Sequence, residues 1–166
     1  MTEPAGFDIR YTVFEDEVYL RKWLSSEKML HYFPMGDQKE VDEMIPSWIG
    51  FAKWNCSLTG MIEGVPVAIG TLFLMPYRKV AHHCMFYLIV DPAWQKKGIG
   101  FSLMKNLKHL AKDYFRLKMM HLDVWEDNEE GLRLLYKSGF KEITKQEKFV
   151  KENDRYLARI LMNVYL

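Results

Sequence analysis

Cysteine is scarce: only Cys56 and Cys84 occur in 166 residues. Two cysteines at that spacing match neither a zinc framework nor a disulfide scaffold, so no metal is expected and an intracellular, cytoplasmic setting is. Charge of one sign is also missing. Lys and Arg total 23 against 22 Asp and Glu, a formal net charge of +1, which excludes a whole-molecule polyanion binder. Without a local basic patch, no nucleic-acid partner is expected. No apolar run approaches the ~20 residues of a membrane span. The longest, "VPVAIGTLFLMP" from Val65 to Pro76, reads as a buried strand, and no membrane partner is expected. "MTEPAGFDIR" lacks the basic-then-apolar order of a secretory signal. No repeat or low-complexity linker interrupts the chain, so residues 1–166 are expected to form a single domain.

What is present is the material of a core. Apolar residues make up 49% and charged residues 27%, a globular balance. "FDIRYTVFE" alternates Phe7, Ile9, Tyr11 and Val13 with polar partners, the period of a half-buried strand. "DEVYLRKWLSS" changes to helical spacing, and a second helix is expected to open at Asp37, with Glu40 completing a capping-box pattern. "WNCSLTGMIE" and "VPVAIGTLFLM" read as a hairpin turning at Glu63-Gly64, and "HHCMFYLIV" as a third strand of this group. A helix from about Ile99 to Phe115 follows, then the strand "KMMHLDVW" and a helix from about Glu129 to Lys137 that stops at Gly139. "FKEITKQEKF" and "RYLARILMNVYL" close the chain as strands. The order is β-α-α-β-β-β-α-β-α-β-β. Its central β-α-β-α portion calls for parallel pairing, because a crossover helix is what joins parallel strands.

"DPAWQKKGIG" marks the hand-over from strand to helix at Asp91 to Gly100. A helix N-terminus offers unpaired N–H groups and the positive end of the helix dipole. Gly98 and Gly100 allow close backbone approach, and Lys96 and Lys97 add positive charge at the rim. Together they suit an anion such as phosphate. The stretch is neither a Walker loop nor a dinucleotide fingerprint, since Gly-Lys-Ser/Thr and a third glycine are both missing. Taken alone, these residues fit a solvated turn equally well.

The wider stretch "YLIVDPAWQKKGIGFSLM" resembles the signature of the GNAT N-acetyltransferase family: V-x-P, then Q/R-x-x-G-x-G/A, then an amphipathic helix. "HLDVWEDNEEGLRLLYKSGFKEI" resembles its second motif, an apolar strand, an Asn, a small residue three on, and Gly-Phe after a helix. The resemblance implies an α/β (α+β) fold with a mixed twisted sheet of about six to seven strands flanked by about four helices. It implies acetyl-CoA as acyl donor and a primary amine, of a small molecule or a protein, as acceptor. It implies that the N–H groups of Gln95, Lys96, Lys97, Gly98, Ile99 and Gly100 hold the diphosphate, with Phe101 and Ser102 in the same helix turn. Leu88, Ile89 and Val90 would pair with the pantetheine arm, and Asn128 would bond that arm or cap the helix after it.

Acyl transfer also needs a proton for the departing thiolate and a base for the amine. Relatives read N-x-x-A-x-x-L-Y-x-x-x-G-F, the Tyr serving as the acid. Aligning Asn128 and Gly139-Phe140 without a gap puts Leu135 at that place and the phenol one residue later, at Tyr136. One residue is about 100° of helix rotation, enough to turn a side chain away. Asp123, five residues before Asn128, stands near where some relatives carry a Glu and is the candidate base; an ion-paired sheet residue is the alternative. Glu126, His82, His83 and Tyr87 are further candidates, and Cys84 replaces a Glu found in histone-type relatives. Tyr32, Phe33 and Met35 suit either a cleft wall or the core. The resemblance thus carries an N-acetyltransferase reading, with a non-catalytic acyl-CoA-binding or regulatory module as the alternative. A homodimer is left open.

Overall fold

The computed structural model describes residues 2–166. The alternating segment forms β1, Phe7–Tyr11, and ends two residues earlier than its pattern, because Phe14–Asp16 winds into a 3-10 turn. Asp16 is buried there and accepts from both guanidinium nitrogens of Arg10 at 2.7 and 2.8 Å, so the turn is tied back to β1. Three helices follow: α1 (Glu17–Leu24), the single turn α2 (Glu27–Leu30) and α3 (Gln38–Gly50). Asp37 caps α3 by accepting from the Glu40 N–H at 2.9 Å. The apolar positions of α1 and α3 are buried, notably Leu20, Trp23, Val41, Ile45 and Trp48.

The hairpin is β2 (Ser57–Ile62) and β3 (Val65–Leu74), with Glu63 and Gly64 both at positive φ in its turn. Next come β4 (His83–Val90), α4 (Ile99–His109), β5 (Met119–Trp125) and α5 (Glu129–Lys137). The long helix expected to reach Phe115 keeps α-helical winding only to His109. Leu110–Tyr114 widens to a π turn, with the Phe115 N–H reaching back five residues to Leu110 O. The periodicity of apolar residues does not register such a one-residue insertion. Strands β6 (Lys141–Glu152) and β7 (Arg155–Tyr165) complete a seven-stranded sheet of order β1-β2-β3-β4-β5-β7-β6.

Every neighbouring pair is antiparallel except β4 and β5, which α4 joins. Two hydrophobic cores cover the two faces. On one face, Cys84 and Phe86 of β4 and Met120 and Val124 of β5 pack with Leu103 and Leu107 of α4, Leu135 of α5 and Phe140. On the other, Ile69 and Ile89 pack with α1 and α3. Because side chains alternate along a strand, His83, Met85 and Tyr87 of β4 lie on the α1–α3 face. His121 and Asp123 of β5 lie on that same face. No helix is long and apolar enough to cross a membrane among the described residues.

Candidate active site

Strands β4 and β5 pair at only three positions, His83↔Met119, Cys84↔Met120 and Met85↔His121. Beyond Met85 they part: β4 stays with β3 as far as Ala68↔Val90, and β5 stays with β7 as far as Trp125↔Arg159. Phe86 and Phe140 are both fully buried at the α4 side of this opening, their rings 5.4 Å apart. The two rings pack together on that face of the sheet, Phe86 being the residue after the last β4–β5 pair. The result is a wedge with its apex at Met85 and His121. The β5-facing edge of Phe86 to Val90 has no strand partner, which suits an extended chain bearing amides.

The turn at the mouth of the wedge is built from backbone. Asp91 accepts from the Ala93 N–H at 2.9 Å and starts a 3-10 turn, Pro92–Trp94. Lys96 (φ 60°) and Gly98 (φ 82°) then reverse the chain into α4. Among the described residues, none of the N–H groups from Gln95 to Phe101 donates to a protein acceptor. Seven such groups around one helix N-terminus are the donors that an anion would need. The Gln95 side chain turns inward, donating to Val90 O at 3.2 Å and fixing the turn to the end of β4. Lys96 reaches Glu130 on α5 at 3.0 Å, and Lys97 lies over the Trp94 ring at 4.6 Å. A Cβ on Gly100 would approach Leu134 at 3.3 Å and Val90 at 3.6 Å, so that glycine keeps α4 close to α5 and β4. A Cβ on Gly98 would meet the Thr2 carbonyl oxygen at 2.9 Å. Gly98 is therefore required by the N-terminal segment and by its own φ, in addition to any ligand.

Asn128 opens α5, its Oδ1 accepting from the Gly131 N–H at 3.0 Å. A Cβ at position 131 would fall 2.6 Å from Asn128 Nδ2, which explains the small residue three positions after the Asn. The cap uses only the oxygen; Nδ2 makes no hydrogen bond among the described residues. Leu135 is 3% exposed in the core, whereas Tyr136 is 52% exposed and directs its hydroxyl 3.4 Å from Glu142. The ungapped spacing thus turns the phenol out of the wedge, and Tyr136 is not brought to the site. A second basic recess, about 170 Å³, lies on the α4–α5 side between Phe101, Lys105, Lys108 and Lys137.

The α1–α3 face of the wedge is made of side chains. Asp123 accepts from Arg159 at 2.8 Å, and Arg159 in turn lies 3.9 Å over the Phe149 ring. Asp123 is thus the ion-paired sheet residue of the two readings. Glu126 is likewise engaged: its carboxylate accepts from the Ala158 N–H and pairs with Lys145, which together hold it below the usual carboxylate range. Tyr87 packs edge-on against Phe33 and Phe73, and burial followed by the charge of Asp123 pushes its phenol up. Of the other aromatic candidates, Phe33 contributes to this box, Tyr32 stacks against His31, and Met35 is in the core.

Two histidines that local sequence did not single out belong here. His31 links Asp127 at 2.7 Å to Glu152 at 2.6 Å and so joins α2 to the β5–α5 connection and the β6–β7 hairpin. Burial opposes its charge, but Asp127 and then Glu152 outweigh it, and its pKa is raised. His121 stands at the apex and is taken up below. Both cysteines are fully buried, and burial raises Cys56 to about 11 and Cys84 to about 12. A thiol so protonated is no acyl-accepting nucleophile at neutral pH. Among the described residues no group of three or more His, Cys, Asp or Glu is placed to hold a metal.

A mixed sheet split between two parallel strands, beside a turn of unpaired N–H groups, is the fold of the acyl-CoA-using acetyltransferases. The family model for the acetyltransferase (GNAT) family matches residues 18–140, and the chain belongs to that family. A curated relative, the L-amino acid N-acetyltransferase AaaT of Escherichia coli (strain K12), is 24% identical over 105 residues. That match covers 63% of this chain and 65% of the relative. The yncA protein of Salmonella typhimurium, solved with its cofactor acetyl-CoA, superposes with a TM-score of 0.83 at 18% identity, over 97% of this chain and 94% of that one. Spermidine N-acetyltransferase of Vibrio cholerae, in complex with CoA and spermine, superposes at 0.77 with 17% identity, over 98% and 96%. These two likenesses show the fold.

Proposed function

We propose that residues 1–166 act as one acetyl-CoA-dependent N-acetyltransferase domain, working in the cytoplasm and moving an acetyl group directly to a primary amine. The observation that carries this reading is the pairing of the wedge with the turn of seven free N–H groups. The turn from Gln95 to Phe101 would hold the diphosphate of the acyl donor. The free edge at Leu88 to Val90 would pair with its extended amide arm, and Asn128 Nδ2 is free to add a contact. The basic recess at Lys105, Lys108 and Lys137 supplies a place for the remaining phosphate. The donor supplies an activated thioester, and the protein's task is to bring a neutral amine against it. The amine approaches from the α1–α3 face, where Tyr87, Asp123 and His121 converge.

Direct transfer is favoured because neither thiol is available for a covalent intermediate. With Tyr136 turned outward, solvent water is the proton source for the departing thiolate. That same outward turn favours the second reading, a module that binds acyl-CoA without catalysis. A panel of L-amino acids, polyamines and peptide N-termini, assayed by release of free thiol from acetyl-CoA, separates the two. Thiol release matched by acetylated amine is expected for the enzyme. Acetyl-CoA binding by calorimetry with no release across the panel is the outcome for the module.

A further inference from the structure

The apex of the wedge holds a pair of imidazoles. His83 Nδ1 and His121 Nε2 lie 3.1 Å apart, one ring on each of the two parallel strands. Met85↔His121 is the last position at which those strands pair, so His121 is the first residue of β5 to face the opening. Its ring lies on the face shared with Tyr87 and Asp123, where the amine enters. Among the described residues the other nitrogen of His121, Nδ1, makes no hydrogen bond. Asn163, directly across on β7, spends its amide on Met119 Sδ at 3.2 Å and does not compete for the ring. On the far side, the His83 ring meets the exposed His82 at 5.1 Å, which leads outward to solvent.

Resting on the acetyl-transfer reading above, we propose that His121 takes the proton of the incoming ammonium and that His83 passes a proton on to solvent. In the resting pair, His121 Nε2–H donates to the bare Nδ1 of His83, which leaves His121 Nδ1 bare toward the amine. The ammonium gives one proton to His121 Nδ1. The Nε2 proton crosses 3.1 Å to His83 Nδ1, and His83 releases its Nε2 proton to water. The freed nitrogen lone pair then forms the C–N bond, the C–S bond breaks, and the thiolate takes a proton from water. After loss of the second amine proton to solvent, the balance is an amide and a thiol. The resting tautomers return when His121 Nδ1 gives its proton to water in the cleft, His83 Nε2 takes one from solvent, and the His83 Nδ1 proton crosses back to His121 Nε2.

Electrostatics agree with a base that is neutral at rest. Burial first, and then His83 as a like-charged neighbour, lower the pKa of His121, while Asp123 on its own strand pulls the other way. From the elements packed around it, the titratable groups are thus His83 and Tyr87 on β4 and Asp123 on β5. Arg159 of β7 is already paired with Asp123. Among the described residues no carboxylate contacts the imidazole to fix it as a cation, in contrast to His31.

The test combines kinetics, binding and nitrogen NMR on the full chain. With the fastest acceptor of the panel, His121→Gln is expected to lower kcat/KM at pH 7 by roughly 10²-fold, within the range of a positioned acid–base group. The deficit should shrink as the pH nears the amine's own pKa, and added imidazole should restore part of the rate to His121→Ala. His83→Gln is expected to lose less, about tenfold, since water can replace the outer carrier. Acetyl-CoA affinity should be unchanged in all three variants. Ring 15N spectra of the parent should show His121 with a bare Nδ1 and a protonated Nε2. An active parent with His121→Gln within twofold of it overturns the relay alone. A resting Nδ1–H on His121 does the same without any acceptor. If the parent binds acetyl-CoA yet acetylates nothing, the transfer reading fails and takes the relay with it.

Discussion

The two sides of the wedge are made of different material. The α4 side is built from consecutive backbone, with seven N–H groups between Gln95 and Phe101 held open by two glycines and a capped turn. The α1–α3 side is assembled from side chains far apart in sequence. His31 meets Asp127 and Glu152, His83 meets His121, and Asp123 meets Arg159. A cradle of backbone N–H groups recognises an anion by charge and shape and so tolerates changes in side chains. A side-chain cluster recognises by the identity of its members, and a few substitutions re-tune it.

The largest expected effect lies at the foundation shared by both sides. Phe86→Ala removes a fully buried ring that packs on Phe140 where the two strands part. Such truncations cost roughly 3–5 kcal/mol, so Tm should fall by on the order of 10 °C. Donor and acceptor functions should be lost together. Retention of either one alone would show that the two sides do not depend on a common opening.

A smaller effect separates the sides. Exchanging both rim lysines, Lys96→Glu with Lys97→Glu, should weaken acetyl-CoA binding by about tenfold, equivalent to ~1.4 kcal/mol. The loss should shrink in high salt because these side chains are exposed. Melting temperature and the tautomers of the histidine pair should not move. A donor affinity unchanged at low salt would place the anion away from this turn.

Smaller still is the contribution of His31, which lies on the α1–α3 side. Its folded-state pKa is raised above the ordinary value of about 6.5. The stability it contributes is therefore fully present below that value and is lost as pH rises through the raised one. His31→Gln should destabilise by about 1 kcal/mol or less at pH 5.5 and by almost nothing at pH 9, as for a partly exposed pair. Denaturant unfolding at the two pH values measures the difference; equal losses at both would mean that the imidazole is neutral in the fold.

Much of this contrast explains what could be read from sequence. Helix caps at Asp37 and Asn128, the hairpin at Glu63-Gly64 and the turn at Gln95 to Gly100 are local, and each is recognisable from a few adjacent residues. The rotation of Tyr136 out of the site was legible in the same way, from helix geometry applied to an ungapped spacing. His31 and His121 were not, because their partners lie 96 and 38 residues away and only the assembled sheet brings them together. The contact of Gly98 with Thr2 escaped for the same reason, and the π turn at Leu110–Tyr114 because apolar periodicity does not register a one-residue insertion. Asp123 drew attention as a carboxylate among apolar neighbours, but its guanidinium partner sits on β7, 36 residues later.

The smallest expected effect is a null one. With Cys56 and Cys84 pushed up to about 11 and about 12 by burial, iodoacetamide at pH 8 should label neither in the folded protein and both in denaturant. Cys84→Ala should keep the transfer chemistry, at a modest cost in packing. Rapid native labelling of Cys84, accompanied by loss of transfer, would make the thiol part of the site.

Direct transfer across the wedge requires donor and acceptor to be bound at once, one on each side. Initial rates measured while both concentrations are varied test this most directly. Double-reciprocal lines that intersect are predicted, with free thiol and acetylated amine formed in equal amounts. Parallel lines, the mark of an acetylated enzyme formed before the amine binds, would contradict it.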